Sequence, residues 1–177
     1  MNVDQITIEV LSVFIPSLAV FLSFYLLLKH YLIPEHQRKL NSERISQKKL
    51  LINNKISAYE RFALFLERIH PESMIMRLHQ PGMSAQQLHA ALLQNIRSEF
   101  EHNVVLQIYV SQQLWKLIKF AKDETVNLIN LSAKKLKPNA SAMDLSTEIL
   151  QNIAKLQEVP TEKALDVLRK EVKQLYQ

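Results

Sequence analysis

The sequence contains no cysteine and a single glycine, Gly82. Without cysteine the chain has no disulfide and no thiol chemistry, in keeping with a reducing compartment. One glycine cannot supply either glycine-rich phosphate loop, G-x-G-x-x-G or G-x-x-x-x-G-K, so dinucleotide and P-loop nucleotide binding are not expected. The scarcity of glycine, together with long runs rich in Leu, Ile, Gln and Lys, predicts an all-α fold.

Charge is absent from residues 10–28, VLSVFIPSLAVFLSFYLLL. A helix of this length is about 28 Å long, close to the roughly 30 Å hydrocarbon core of a bilayer. The run therefore predicts a transmembrane helix, preceded by an extracytoplasmic tail over residues 1–9. Pro16 predicts a kink rather than a break, because membrane helices tolerate proline, and Ser12 lies one turn earlier, where it can help.

Two alternatives fit the apolar run less well. A cleaved signal peptide needs a basic n-region and a small-residue cleavage site. The first nine residues instead contain Asp4, Glu9 and no base, and Lys29 follows the run directly. A buried core helix normally keeps a polar face, whereas three serines and one tyrosine are the only polar residues here.

Positive charge is concentrated in residues 29–55, a basic juxtamembrane stalk with seven Lys or Arg and two Glu. Its net charge of +5 equals the formal net charge of the whole chain, and no base precedes the apolar run. The positive-inside rule therefore predicts an outside N-terminus and a cytoplasmic C-terminal domain. We expect Lys29, Arg38 and Lys39 to contact anionic lipid head groups, which explains the bases without a nucleic-acid partner.

A helical bundle of about five helices is predicted for residues 56–177, with no cofactor. Ile33-Pro34 predicts a break after the membrane, and a new helix is predicted from about Asn41 to His70, where Pro71 stops it. Further helical segments are predicted over residues 72–79, 84–102, 111–136, 142–156 and 160–175. Ser84 starts its helix with a capping box that uses Gln87.

The stretch from Asn103 to Val110 permits two interpretations. Its β-branched residues favour an extended backbone, whereas Phe100, Val104 and Ile108 share a face if the helix continues. We favour a break near Asn103, an irregular segment packed on the bundle, and a new helix capped by Ser111.

Apolar spacing predicts which side chains are buried. In the helix over 111–136 the inward residues are Leu114, Leu117, Ile118, Ala121 and Leu128, and in the next helix they are Leu145, Ile149, Ile153 and Leu156. The aromatic residues are predicted to be core: Tyr59, Phe62, Phe65, Phe100, Tyr109, Trp115 and Phe120. Phe65 lies slightly off its stripe, so an exposed position is the alternative for it.

Two E-x-x-H motifs raise the question of a metal site. Glu67 with His70, and Glu99 with His102, place a carboxylate and an imidazole on one helix face, as in di-metal carboxylate bundles. Each motif ends its own helix, so antiparallel helices would hold the motifs roughly 25 Å apart. No metal is therefore the expectation, and these four residues are the candidates if one binds.

Seven charged residues form a second candidate cluster: Glu60, Arg61, Glu67, Arg68, Arg77, Arg97 and Glu99. The four members on the 41–70 helix have no oppositely charged partner four residues ahead within that helix, so they must pair between helices or face water. The favoured interpretation is a structural salt-bridge network. The alternative is a ligand or partner site in which Arg61 or Arg68 holds a carboxylate or phosphate.

Several segments resemble an uncharacterised family of small single-pass membrane proteins of Bacteroidota. They are AYERFALFLERIHP at residues 58–71, Arg77, EFEHN at 99–103 and QIYVS at 107–111. The resemblance extends to about Leu131 and implies one N-terminal membrane helix, a helical cytosolic domain and a bacterial inner-membrane location. It implies no activity, and no functional residue is transferred.

These observations predict a non-catalytic role. The chain reads as a membrane-anchored helical scaffold or accessory subunit of a larger inner-membrane assembly, with a protein partner or a second copy of itself. The alternative is a membrane-tethered enzyme or ligand sensor that uses the Glu/Arg/His cluster. A concave pocket that gathers those polar groups would favour the alternative, and an exposed apolar patch would favour the scaffold.

Overall fold

The computed structural model describes the backbone of residues 3–175, and the side chains of residues 7, 9–30 and 42–175. The predicted all-α fold is confirmed. The helices are α1 (Val3–Arg68), α2 (Pro71–Leu78), α3 (Ala85–Asn103), α4 (Gln112–Lys134), α5 (Ala142–Ile153) and α6 (Pro160–Gln174), with a 3-10 helix at Val104–Tyr109. The chain divides into two compact units, Met1–Leu51 and Ile52–Gln177.

Helix α1 is longer than predicted. It runs without interruption through Pro16 and Pro34, so the expected break at Ile33-Pro34 and the separate start near Asn41 are wrong. A proline removes only one backbone donor, and the good helix formers around Pro34 sustain the helix on both sides. The helix ends at Arg68, two residues before the predicted end.

In the second unit, a hydrophobic core unites the end of α1 with α2 to α6. The α1 side chains in this core include Tyr59, Phe62 and Leu66. Phe65 is only 1% exposed, so the suggested exposed position is wrong. Its ring packs against Phe100 of α3, with 6.0 Å between ring centroids, because α3 covers this side of α1 as well.

The helix starts in the second unit are fixed by local hydrogen bonds. The predicted capping box at Ser84 and Gln87 is confirmed, and a second box joins Ser141 to Asp144. An antiparallel bridge pairs Ser84 with Ser141, so α3 and α5 begin side by side. The predicted cap at Ser111 is also confirmed.

The ambiguous segment is a 3-10 helix rather than an extended strand or a continued α-helix. The predicted break at Asn103 is confirmed, and the Asn103 side-chain amide donates to the Glu99 carbonyl at 2.7 Å. Only part of the segment packs on the core: Leu106 contacts it, whereas Val105 and Ile108 are exposed.

The buried face of α4 differs in part from the prediction. Leu114, Ile118 and Ala121 are buried as expected, but Leu117 and Leu128 are only partly buried. The buried face continues instead through Thr125, Ile129 and Ser132. The hydroxyls of Thr125 and Ser132 donate to backbone carbonyls one turn earlier in α4. Because these hydroxyls are hydrogen-bonded, the two residues can lie in the core.

Two predicted core positions are exposed. Leu156 is 42% exposed because α5 ends at Ile153, before the predicted end. Phe120 is 50% exposed, since it lies on the outer face of α4.

Candidate functional site

The charged cluster predicted from the sequence is gathered only in part. Arg68 Nη1 lies 3.0 Å from Glu99 Oε1, which joins the end of α1 to the end of α3. Arg77 donates to the Arg68 carbonyl at 3.2 Å and to Asn95 Oδ1 at 2.8 Å. Three of the seven predicted residues therefore form a network that holds the C-terminus of α1.

The other four members are not brought into this network. Glu60, Arg61, Glu67 and Arg97 are exposed and have no ion pair within the part of the chain that the structure describes. Arg97 lies in shallow surface grooves beside Glu101. Among the described residues, the predicted charged cluster is thus divided between the Arg68–Glu99–Arg77 network and separate exposed positions.

The two E-x-x-H motifs lie closer together than predicted. The contact between Arg68 and Glu99 places both motifs at one end of the bundle, so the expected separation is wrong. Helix α2 lies between α1 and α3 in the chain, and the contact joins the C-terminal ends of α1 and α3, so these two helices do not form a simple antiparallel hairpin. Even so, among the described side chains no three His, Asp or Glu residues form a group that could hold a metal ion.

The predicted lipid contacts fall mostly outside the described side chains. Lys29 is exposed at the end of the apolar segment. The side chains of Arg38 and Lys39 lie outside the described part of the chain.

A polar trio that sequence reasoning missed connects three helices around Glu171. Tyr59 of α1 donates its phenol hydrogen to Glu171 Oε2 at 2.9 Å. Ser111, the N-cap of α4, bonds to Glu171 Oε1 through its hydroxyl and accepts from the Leu114 amide at 3.0 Å. Burial, and then the hydrogen bond to Glu171 and its charge, raise the pKa of Tyr59 well above its usual value.

A cleft of about 680 Å³ opens beside this trio. It is lined by Lys55, Tyr59, Ser111, Gln113, Val167, Lys170, Glu171, Gln174 and Leu175. Its volume falls in the range of small-molecule sites. The Lys55 ammonium lies 5.9 Å from the centre of the Tyr59 ring, close enough for a cation–π contact.

No local sequence signal marks this cleft. Tyr59 was predicted as core and Ser111 as a helix cap, and both predictions are correct for their backbone positions and packing. Glu171 is one of several acids on a polar helix, and only the tertiary packing of α6 distinguishes it from them.

A smaller apolar groove of about 160 Å³ lies where α4, α5 and α6 meet. Its apolar lining residues are Pro71, Leu128, Leu131, Ile153, Leu156, Val159 and Pro160. Leu131 is 59% exposed, so the groove presents aliphatic surface to solvent.

Residues 5–175 match DUF7935, a family of unknown function. The chain belongs to this family. The resemblance to an uncharacterised family is thereby confirmed, and the matched range includes both the apolar segment and the bundle. No curated protein and no solved structure is significantly similar to the chain.

In this DUF7935 member, hydrogen bonds within the fold engage the polar groups beside the cleft. Both oxygens of Glu171 accept hydrogen bonds from protein hydroxyls, so the carboxylate is held in place by the fold. Ser111 donates to Glu171 and accepts from the Leu114 amide, and the lining of the cleft contains no histidine.

Proposed function

We propose that this protein is a single-pass, membrane-anchored helical scaffold or accessory subunit of a larger assembly at the bacterial inner membrane. Its role in this proposal is non-catalytic. The short N-terminal tail is outside, and the bundle in the cytoplasm is the surface that a partner protein binds.

The observation that carries the proposal is the apolar segment Glu9–His30. It has 22 residues and a mean hydropathy of 2.3, so it is long and apolar enough to cross a membrane. None of it is buried within the protein. Its serine hydroxyls are turned onto the helix: Ser12, Ser17 and Ser23 donate to backbone carbonyls at 2.8–2.9 Å. A helix that satisfies its own polar groups in this way is compatible with a hydrocarbon environment.

The Ser12 hydroxyl does not bond to the carbonyl that Pro16 leaves free, as the sequence had suggested it could. This hydroxyl donates to the Glu9 carbonyl. The carbonyl that Pro16 leaves without a donor is that of Ser12 itself, four residues earlier.

The orientation rests on charge. The seven bases of residues 29–55 follow the uncharged run of residues 10–28, and no base precedes that run. This asymmetry favours retention of the C-terminal side in the cytoplasm.

The choice of scaffold over enzyme rests on the surfaces of the bundle. The cleft beside Glu171 contains none of the seven charged candidates and no histidine, so it does not supply the pocket that a Glu/Arg/His enzyme or sensor would need. The exposed Leu131 and Leu156 instead supply an aliphatic surface of the kind that partner proteins cover.

The test is co-purification of the full-length protein after gentle detergent extraction. The proposal expects a protein present in stoichiometric amount whose recovery is lost in Leu131→Asp. Leu150→Asp is the matched control, because Leu150 is 40% exposed on α5 and does not line the groove. A full-length protein that is isolated alone, or a partner retained equally by both variants, would contradict this use of the groove.

A further inference from the structure

We propose that the cleft beside Glu171 binds a phosphate ester of a small polyol, of the glycerol phosphate type. The chemistry is the same whether the molecule is free in solution or is the head group of an anionic lipid. The inference does not rest on the scaffold function, since it concerns a different surface of the bundle.

The charge of the cleft favours an anionic ligand. Two lysines line it, Lys55 and Lys170, and neither has an ion-pair partner among the described residues. Glu171 is the single acid in the lining, so the lining carries a net charge of +1. A cleft with a surplus of cations concentrates anions of matching size.

The hydrogen-bonding groups of the cleft favour a ligand that carries hydroxyls. Glu171 accepts one hydroxyl on each oxygen, from Tyr59 and from Ser111. A carboxylate offers about four acceptor positions, so roughly two remain for hydroxyls of a ligand. The amides of Gln113 and Gln174 add further donors and acceptors to the lining. An anion that also carries hydroxyl groups matches both the lysines and these acceptors.

The size of the cleft suits a ligand larger than a single ion. About 680 Å³ is room for a small organic molecule. An inorganic phosphate ion would engage the lysines but leave the remaining polar groups to water. The volume and the lining therefore favour a phosphate ester over the bare ion.

The experiment is calorimetric titration of the full-length protein in a nonionic detergent. Glycerol 3-phosphate is the probe, glycerol is its uncharged counterpart, and inorganic phosphate tests the charge alone. We expect glycerol 3-phosphate to bind, inorganic phosphate to bind more weakly, and glycerol to give no heat of binding.

Matched lysine variants place the binding in the cleft. Lys170→Gln removes one lining cation and is expected to weaken glycerol 3-phosphate binding by about tenfold. Lys173→Gln removes an exposed lysine of the same helix that does not line the cleft, and it should bind like the wild type. Both positions are exposed, so neither substitution disturbs the core.

A comparison of two lipids distinguishes a lipid head group from a soluble ligand. Full-length protein in nanodiscs of phosphatidylglycerol, compared with phosphatidylcholine, should bind free glycerol 3-phosphate more weakly if the head group occupies the cleft. Equal binding in the two lipids supports a soluble ligand instead. Absence of binding at millimolar glycerol 3-phosphate, or equal weakening in Lys170→Gln and Lys173→Gln, would overturn the proposal.

Discussion

The phenol of Tyr59 donates to a carboxylate oxygen of Glu171 at 2.9 Å, although 112 residues separate the two in sequence. Through this contact, α1 is joined to α6, and Ser111 adds the start of α4 to the same carboxylate. A hydrogen bond to an ionised acceptor is stronger than one between neutral groups. Glu171 therefore acts as a common acceptor that sets the relative positions of three helices.

The first prediction tests this contact. Tyr59→Phe removes one hydroxyl and keeps the buried ring, so the unfolding free energy should fall by about 1.5 kcal/mol. Urea denaturation of the full-length protein in detergent, followed by the fluorescence of Trp115, measures the change. Tyr109→Phe is the control, because Tyr109 is half-buried and its hydroxyl has no hydrogen-bond partner among the described residues. Equal losses in the two variants would argue against a specific role for the bond.

The second prediction concerns alkaline pH. The pKa of Tyr59 is raised in the folded state, so its hydroxyl stays protonated at pH values where an unfolded tyrosine ionises. The stability gained from the raised pKa is fully present below about pH 10 and is lost as the pH rises further, toward the folded-state pKa. The gap in unfolding free energy between wild type and Tyr59→Phe should thus shrink above about pH 10. Paired denaturation curves between pH 8 and pH 11 would show it, and a constant gap would contradict it.

The third prediction concerns the ion pair that joins α1 to α3. Arg68 and Glu99 are 3.0 Å apart, but the Arg68 side chain is 46% exposed, so solvent screens much of the attraction. A double-mutant cycle with Arg68→Ala and Glu99→Ala should give a coupling energy of about 0.5 kcal/mol. The coupling should decrease further in high salt. A coupling of several kcal/mol would instead indicate a buried, desolvated pair.

Local signals explain which parts of this fold were predictable. The caps at Ser84 and Ser111 and the break at Asn103 depend on nearby residues, and they are found where the sequence places them. The continuity of α1 through Pro34 was missed because a proline signal does not reveal how strongly its neighbours sustain a helix.

Contacts between distant segments could not be predicted from the spacing of residues in the sequence. Helical spacing placed Arg68 and Glu99 on their own helices, but the path of the chain through α2 decides that they meet. The cleft around Glu171 depends in the same way on the packing of α6 against α1 and α4. The sequence contains the residues of such a site, but no local pattern shows that these residues lie close together in the fold.

The fourth prediction concerns topology. Because the bases follow the apolar segment, a reporter enzyme active only outside the cytoplasm should stay silent when fused after Gln177. A second reporter, active only inside the cytoplasm, should give a strong signal at the same point. The opposite pattern would reverse the proposed orientation, and with it the link between the missing cysteines and a reducing compartment.

The fifth prediction is that residues 41–177 fold without the apolar segment. The core of the second unit is formed by residues within Ile52–Gln177, and its helices have their own caps and turns. This fragment should be soluble and strongly helical, with one cooperative thermal transition. Trp115 reports on it well, because its ring stacks on Phe100 at 5.7 Å and lies 5.8 Å from Phe62.

Phe62 provides the sharpest test of that core. It is 1% exposed, so Phe62→Ala should destabilise the fragment by about 4 kcal/mol, a large part of the stability of a domain this size. Phe120→Ala is the matched control: Phe120 is half exposed, and truncating it should cost far less. If the fragment aggregates or melts gradually while the full-length protein is sound in detergent, the membrane segment or a partner completes the core. The bundle would then be an obligate part of a larger assembly rather than a domain that is stable alone.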